Sequence, residues 1–168
     1  LAHPLNNALF TKAVNSKNTN HTYFSVARIL STSPASPALI LSTITGIGGL
    51  PSNYNVAVLL GVDGNFHCLA HTDVDISVPA TLGVHTFHVT YIGTSVKFYI
   101  DGVLAGIATT AVNNFMQSQC YPMSYSSTGT YVIGTQVGNV SILLNGIFGR
   151  VLNTTEIAKF GKNHWQIF

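Results

Sequence analysis

A stretch in the middle of the chain alternates apolar and polar side chains with a period of two. Its apolar positions are Val96, Phe98 and Ile100, and the positions between and after them are Lys97, Tyr99 and Asp101. Because successive side chains of a β-strand point to opposite faces of a sheet, this pattern predicts one dry face and one wet face. The turn pairs Gly93-Thr94 and Asp101-Gly102 flank the strand, so residues 84–108 are predicted to form three antiparallel strands.

Further strand signals recur at short intervals. β-branched and aromatic runs are separated by Gly, Pro, Asn and Asp, which is typical of a sandwich or a barrel. Asp63-Gly64 joins two of these runs and suits a two-residue hairpin, because both positions tolerate a positive φ. The sequence therefore predicts an all-β fold, a two-sheet antiparallel β-sandwich. The other predicted strands are residues 23–30, 38–44, 54–62 and 65–72, with a last strand region at 131–151.

One short helix is predicted near the end of the chain, at residues 154–160. Asn153 can cap it, and Glu156, three residues on, can complete a capping box. The remaining helix signals are a hydrophobic staple and a terminal glycine, formed by Leu152, Ile157 and Gly161.

The composition limits the classes of partner. Only 7% of the residues are charged, the formal net charge is +2, and no basic run is present that could neutralise a phosphate backbone. Polar residues or Gly interrupt each apolar run before the roughly 18 residues that a membrane helix needs. We therefore expect no nucleic-acid partner and no membrane insertion. The 168 residues are expected to form a single domain, 1–168.

The first residue and the two cysteines give little information about the localisation of the protein. The sequence begins at Leu1 without Met or a signal-peptide pattern, so we expect a processed or trimmed product. Cys68 and Cys120 are too few for a disulfide framework, and their spacing leaves their pairing open. We expect free thiols, with Cys68 acting as a small apolar residue of a strand.

Two segments carry a family resemblance. Residues 85–106 read His-Thr-Phe-His-Val-Thr-Tyr-Ile-Gly-Thr-Ser-Val-Lys-Phe-Tyr-Ile-Asp-Gly-Val-Leu-Ala-Gly. This segment resembles the central hairpins of laminin-G-like and concanavalin A-like domains. Residues 145–157, Asn-Gly-Ile-Phe-Gly-Arg-Val-Leu-Asn-Thr-Thr-Glu-Ile, are similar to the closing strand and short helix of that family. The resemblance implies a jelly-roll sandwich over the single domain, with a role in binding or assembly. The same superfamily also includes glucanases, so catalysis has to be tested on the carboxylates.

The last five residues, His-Trp-Gln-Ile-Phe, are similar to an ending that follows this domain in many phage and prophage structural proteins. The resemblance implies a non-enzymatic component of the virion surface: a capsid decoration, a head fibre or a tail-associated lectin-like domain. Its expected partners are other virion proteins and copies of itself, with a homotrimer favoured by analogy, and surface polysaccharide is a candidate ligand. The alternative is a carbohydrate-binding module of a secreted, extracellular bacterial protein.

A long polar segment, residues 113–129, is the candidate for glycan binding. Aromatic faces stack on sugar rings and planar amides bond hydroxyl groups, which suits neutral glycans. Alternatively, Phe115, Met116, Tyr121 and Met123 pack under the loop or against another subunit. The glycan-binding or interface candidates are Asn113, Asn114, Gln117, Gln119, Tyr121 and Tyr125.

The apolar end of the chain supplies a second set of candidates. Trp165 is the one tryptophan, and it lies close to Ile167 and Phe168. An exposed apolar cluster of this kind is unfavourable in water. We therefore predict that Trp165 and Phe168 anchor the end of the chain onto the sandwich or onto a neighbouring chain.

The carboxylates argue against catalysis. A glycosidase needs two carboxylates that flank the scissile bond, but the one glutamate, Glu156, fits a helix cap. Asp63 and Asp101 fit hairpin turns, and Asp73 and Asp75 fall in one predicted loop. A Ser/His/Asp triad stays open, although no Gly-x-Ser-x-Gly elbow is present. The sequence predicts that the protein is not an enzyme.

Metal binding has one candidate and several weaker signals. Asp73 and Asp75 put two carboxylates on one side of an extended segment, which would suit a calcium ion. His67 and His71, about 13 Å apart on one strand, are too distant to share an ion. We expect strand histidines with ordinary hydrogen bonds, and no cofactor apart from this calcium candidate.

Overall fold

The computed structural model describes residues 20–44, 54–70, 74–111, 119–120, 124–125, 132–133 and 139–164. These form β1 (Asn20–Ile29), β2 (Ala38–Ile44), β3 (Tyr54–Leu60), β4 (Asn65–Ala70), β5 (Val74–Pro79), β6 (Gly83–Ile92), β7 (Ser95–Ile100), β8 (Val103–Thr109), β9 (Gln119–Cys120), β10 (Ser124–Tyr125), β11 (Val132–Ile133), β12 (Val140–Phe148) and α1 (Thr154–Lys162). Within the described residues, no helix has the length and apolarity needed to cross a membrane.

The long strands form two antiparallel sheets. The first sheet has the order β12-β1-β6-β7-β8, and the second sheet has the order β5-β4-β3-β2-β9. Neighbouring strands run antiparallel throughout both sheets. β10 and β11 pair separately. The predicted two-sheet antiparallel sandwich with one short helix is confirmed.

The turns predicted at Gly93-Thr94 and Asp101-Gly102 each join two strands directly. Between β7 and β8, Asp101 has a φ of 52° and Gly102 a φ of 80°. Positive φ at two successive turn residues matches the right-handed twist of the flanking strands. The segment predicted to form three strands accordingly folds as β6, β7 and β8.

The two-residue hairpin predicted at Asp63-Gly64 is wrong, because residues 61–64 connect β3 to β4 and Asp63 does not have a positive φ. Gly64, between β3 and β4, has a φ of 79°. Hydrogen bonds from Gly64 N–H to the Gly61 carbonyl and from Gly61 N–H to the Asn65 carbonyl close this longer turn.

The core lies between the inner faces of the two sheets. Phe87 and Phe98 of the first sheet stack with their ring centroids 6.4 Å apart, and Phe66 of the second sheet meets Phe87 edge to face at 5.0 Å. Such aromatic pairs contribute about 0.5–1.5 kcal/mol beyond the burial of their area. The three rings therefore tie the sheets together. Other large residues buried in this core are Tyr23, Ile40, Leu41, Val56, Leu60 and Tyr91.

The outer face of the first sheet is covered by α1. Tyr99, which is predicted to lie on a wet face, is only 4% exposed and packs with Leu152 and Ile157. Phe24 of β1 meets Phe160 of α1 with their ring centroids 5.0 Å apart. The prediction of a wet face is therefore wrong at Tyr99. Alternation tells which face a side chain points to, but it does not tell whether a distant helix covers that face.

α1 begins as predicted. The Asn153 side chain accepts a hydrogen bond from the backbone N–H of Glu156 at 2.9 Å, and the Glu156 carboxylate accepts one from the backbone N–H of Asn153 at 2.8 Å. Leu152 and Ile157 share one buried cluster, as expected of a hydrophobic staple. Arg150 also donates two hydrogen bonds to Glu156, at 2.7 and 2.9 Å.

The prediction that Gly161 ends the helix is wrong. α1 continues to Lys162, and Asn163 is its C-terminal cap. At Gly161 a Cβ atom would lie 2.5 Å from both the carbonyl carbon of Asp101 and the backbone nitrogen of Gly102. The absence of a side chain lets α1 approach the turn between β7 and β8, and a helix-stop signal cannot be told from this requirement in the sequence.

The structure adds a strand that the sequence analysis did not predict. Asp75, predicted to lie in a loop, lies in β5, which pairs with β4 along its whole length. Val74 is buried, and Ile76 and Val78 pack against the core. Asp75 and Ser77 alternate with them and are exposed. The polar residues that suggested a loop are the outward-facing half of an edge strand.

Cys68 is a free thiol, as predicted, and it is fully buried in the core. Burial raises the pKa of this thiol, so that it stays protonated and behaves as a small apolar side chain. Cys120 lies in β9, but its side chain is outside the described residues.

We predict that Gly161→Ala destabilises the protein by about 1–3 kcal/mol, because the added methyl group would meet the backbone of the β7–β8 turn. Intrinsic helix propensity alone predicts the opposite, a gain of up to about 1 kcal/mol. Gly149→Ala is the matched control, because a Cβ atom there meets nothing within 4 Å. The free energy of unfolding in urea checks both variants, and an unchanged or increased stability of Gly161→Ala would contradict the contact.

Candidate functional site

The outer face of the second sheet has a covered half and an open half. Leu39 of β2 and Ala57 of β3 point to this face and are buried, and β10 approaches β2 to within 8 Å between Cα atoms. Asp75 and Ser77 of β5 point to the same face and are exposed. The face over β4 and β5, named here the open face, is therefore the part that a soluble ligand can reach.

A cluster of three ionisable side chains lies on the open face. The Nδ1 atom of His67 is 2.9 Å from Asp75 Oδ1, and its Nε2 atom is 3.1 Å from Asp63 Oδ1. Each carboxylate is about half exposed, at 48% for Asp63 and 52% for Asp75, whereas the His67 side chain is only 17% exposed. The imidazole is thus held between two carboxylates whose outer edges face water. We name these three residues the acid-histidine cluster.

The local backbone explains how the cluster forms. The β3–β4 turn folds Asp63 back, so that its carboxylate accepts hydrogen bonds from the Asn65 backbone at 3.2 Å and from the Asn65 amide at 2.7 Å. In the β4–β5 pair, His67 lies opposite Ser77, so Asp75 is its diagonal neighbour on the same face. A side chain at Gly61 would collide with Asp63 and His67. The glycine therefore leaves the space that the imidazole occupies.

The cluster favours a protonated histidine. A carboxylate can only accept a hydrogen bond, so both ring nitrogens of His67 must carry protons to satisfy Asp63 and Asp75. Burial lowers the pKa of His67, but the hydrogen bonds and charges of both aspartates outweigh it and raise the pKa above the usual value of 6.5. The hydrogen bonds from His67 and Asn65 in turn lower the pKa of Asp63 to about 2. The cluster thus holds the imidazolium form of His67 between two carboxylates.

This arrangement suits binding better than catalysis. Glycoside hydrolysis needs a sugar, and in one mechanism also a water molecule, between two carboxylates. Here the imidazole of His67 fills the space between Asp63 and Asp75. With both nitrogens occupied, His67 cannot act as a general base. The outward lone pairs of the carboxylates stay available to accept hydrogen bonds from hydroxyl groups of a ligand.

A second group of side chains has the residue types of a catalytic triad. Thr81 would be the nucleophile, His85 the base and Asp101 the acid. His85 Nδ1 is 2.7 Å from Asp101 Oδ2, and His85 Nε2 is 3.1 Å from the Thr81 hydroxyl. However, Nε2 is also 3.1 Å from the carbonyl oxygen of Thr81, which can only accept a hydrogen bond. Nε2 therefore carries a proton and cannot take one from Thr81.

The charges around His85 agree with that assignment. The hydrogen bond to Asp101 raises the pKa of His85 above its usual value, although partial burial opposes it. The other carboxylate oxygen of Asp101 accepts the backbone N–H of Thr86 at 2.8 Å. The hydrogen bonds of Asp101 therefore fix the β7–β8 turn against β6, and those of Thr81 fix the β5–β6 connection to the same histidine.

No group of three or more His, Cys, Asp or Glu side chains within the described ranges could hold a metal ion. In the acid-histidine cluster the two nitrogens of one ring point in opposite directions, so the carboxylates cannot share an ion with it. His85 and His88 point to opposite faces of β6, as predicted. The calcium candidate is half described, because Asp73 lies outside the described residues and Asp75 belongs to the cluster.

Those site residues predicted from the sequence that the structure describes do not all lie together. Gln119 lies in β9, where it pairs with Ile44 of β2, and Tyr125 lies in β10. Both therefore lie near the β2 side of the second sheet, whereas Asp75 is in β5 at the opposite edge. The candidates outside the described residues are Asp73, Asn113, Asn114, Gln117, Tyr121, Trp165 and Phe168.

The sequence analysis did not predict that His67 is the centre of a site. A usable signal was present, because Asp63 precedes His67 by four residues across a hairpin. The contact between His67 and Asp75 could be predicted only if β5 was predicted as a strand. With β5 paired to β4, the even spacing between His67 and Asp75 places both on one face.

Known proteins share the fold but little of the sequence. No family model and no curated protein matches the chain. Among solved structures, a sialidase of Trypanosoma rangeli matches with a TM-score of 0.67 and 17% identity over 88% of this chain and 23% of the sialidase. The binding domain of botulinum neurotoxin serotype D/C matches with a TM-score of 0.61 and 12% identity over 89% of this chain and 37% of that chain.

The chain shares a β-sandwich fold with both proteins. At 12% and 17% identity, this similarity extends to the fold alone. The chain spans less than a quarter of the sialidase and little more than a third of the toxin chain. The chemistry of the site must therefore be argued from this chain's own residues.

We predict that Asp75→Asn lowers the pKa of His67, because the substitution removes a negative charge and a strong acceptor from the ring. Titration of the His67 ring resonances by NMR measures the change. Ser77→Ala is the matched control, because Ser77 is the cross-strand partner of His67 on the same face and carries no charge. An equal His67 pKa in the wild type and in Asp75→Asn would show that the ion pair does not form in solution.

Proposed function

We propose that this chain is a non-enzymatic, lectin-like binding domain that recognises surface glycans on the open face of its second sheet. The observation that carries the proposal is the acid-histidine cluster, in which His67 holds Asp63 and Asp75 in fixed positions with their outer edges exposed. Charged acceptors form stronger hydrogen bonds with hydroxyl groups than neutral ones do. Two oriented carboxylates on a flat sheet suit neighbouring hydroxyl groups of a neutral sugar.

Fixed side chains favour binding of a flexible ligand. Ordering a mobile side chain costs about 0.5–1.5 kcal/mol on binding. Asp63 accepts hydrogen bonds from His67 and Asn65 before a ligand arrives, and Asp75 accepts one from His67. These aspartates therefore lose little freedom when a hydroxyl group binds.

We predict that the double variant Asp63→Asn/Asp75→Asn binds its glycan at least about tenfold more weakly, because both charged acceptors become neutral amides. An array of neutral and acidic glycans identifies the ligand, and titration calorimetry then gives the dissociation constants. Lys159→Gln, on the exposed side of α1, is the matched control for a change of surface charge.

Three outcomes would contradict this proposal. The first is a wild-type protein that binds no glycan on the array, and the second is a double variant that binds as tightly as Lys159→Gln. The third is hydrolysis of the bound glycan by the wild type, which would contradict the non-enzymatic character. The thermal unfolding of each variant must match the wild type, so that loss of binding is not loss of the fold.

As its setting, we propose the surface of a phage particle, where the chain assembles as a homotrimer with other virion proteins. Two features of the sequence support this proposal: only 7% of the residues are charged, and the last five residues resemble an ending found in phage structural proteins. The alternative is a carbohydrate-binding module of a secreted protein, which the polar open face supports equally. Light scattering discriminates between them, since a stable trimer favours the virion and a monomer favours the module.

A further inference from the structure

We propose that His88 makes the docking of α1 sensitive to acid, so that protonation of this one ring releases the helix while the sandwich stays folded. His88 lies on the outer face of β6, under α1. The proposal concerns the first sheet and is independent of glycan binding on the second.

Among the described residues, the surroundings of His88 contain no partner for a charge. The residue is 0% exposed, and neither ring nitrogen has a hydrogen-bond partner in the part of the chain that the structure describes. Its ring meets Phe160 of α1 edge to face at 4.7 Å between centroids and stacks with Phe24 of β1 at 6.4 Å. A neutral imidazole fits this apolar space, but an imidazolium would be buried with two unpaired N–H groups.

α1 is the neighbour that can move at the lowest cost. β1 and β7 flank β6 in the first sheet and are held to it by backbone ladders through Phe24 and Tyr99. α1 is a nine-residue helix, and the side chains that it buries are Ile157 and Phe160. Displacement of α1 would open the space over His88 to water without breaking a strand pair.

The charged groups near His88 do not compensate for its burial. Asp101, in the β7–β8 turn, raises the pKa slightly, but its carboxylate is hydrogen bonded to His85 and Thr86. β1 presents Phe24, and β7 presents the neutral phenol of Tyr99 opposite His88.

Two further ionisable groups lie near the outer face of the first sheet. Lys97 of β7 points to the same outer face as Tyr99 and adds a positive charge. His164 follows the C-terminal cap of α1 and interacts electrostatically with Asp101.

The other charges lie on α1 and at the exposed end of β1. α1 carries Lys159 and Lys162 in its last turn, which add positive charge to the same helix. Glu156, in the first turn, is paired with Arg150. Arg28 of β1 is exposed.

The direction and size of the pH effect follow from linkage. Burial lowers the pKa of His88 from 6.5 to about 4 in the docked state, whereas a hydrated histidine keeps a pKa of 6.5. Docking is therefore fully favourable above about pH 6.5 and weakens as the pH falls towards 4. Between pH 7 and pH 5 the equilibrium constant for undocking rises roughly 20-fold.

Other titrating groups do not produce this local effect. The pKa values of His67 and His85 are raised by their aspartates, so their ion pairs strengthen the fold as the pH falls through that range. Burial lowers the pKa of His21, but this ring lies on the inner face beside Tyr23 and away from α1. Glu156, with a pKa of about 2, stays ionised above pH 5.

Amide hydrogen exchange of the full chain at pH 7 and pH 5, corrected for intrinsic rates, tests the inference. We expect the protection of α1 amides to fall at least tenfold at pH 5, while amides of β1 and β6 keep theirs. In His88→Phe the loss should disappear, because no group under the helix titrates. His88→Leu serves the same purpose if the larger ring does not fit. Ser77→Ala, on the second sheet, removes no titratable group and is the control that should behave as the wild type.

Three results would overturn the inference. They are unchanged protection of α1 in the wild type, equal loss of protection in α1 and in the strands of the first sheet, and persistence of the full acid effect in both His88 variants. The second result would mean that acid unfolds the whole sandwich.

Discussion

The contact between Gly161 of α1 and the turn at Asp101-Gly102 is the constraint on which the arrangement of the faces depends. The turn needs positive φ at both residues, and it is fixed to β6 through the hydrogen bonds of Asp101 to His85 and Thr86. α1 can approach this turn only because position 161 has no side chain. The helix is therefore held over the first sheet, where Ile157 and Phe160 bury apolar surface.

That placement gives the two sheets opposite chemistry on their outer faces. Under α1 the first sheet carries His88, which has no polar partner among the described residues and is kept neutral by burial. On the second sheet, where no described helix lies, His67 has two carboxylate partners and is kept charged. Burial thus lowers the pKa of His88, whereas two neighbouring carboxylates raise the pKa of His67. The open face carries exposed acceptors, and the covered face does not.

The sequence was sufficient for features whose signals are local. The Asp101-Gly102 turn and the capping box at Asn153 depend on a few adjacent residues, and each was predicted. The features that were missed depend on contacts between distant segments. The burial of Tyr99 requires knowing where α1 docks, and the interior position of Gly161 requires knowing what it faces. The candidate site was missed for the same reason.

The acid-histidine cluster lies at an edge of the second sheet, where Asp75 has a second effect besides orienting His67. β5 is an edge strand, whose unpaired backbone groups could pair with another chain. Asp75 and Pro79 lie on it, and a charge or a proline discourages such pairing. Asp75 therefore protects the edge and also orients His67, and the two roles do not conflict. A site built from residues that the sheet edge already requires costs the fold little stability, which explains how exposed charges persist in a chain with so few of them.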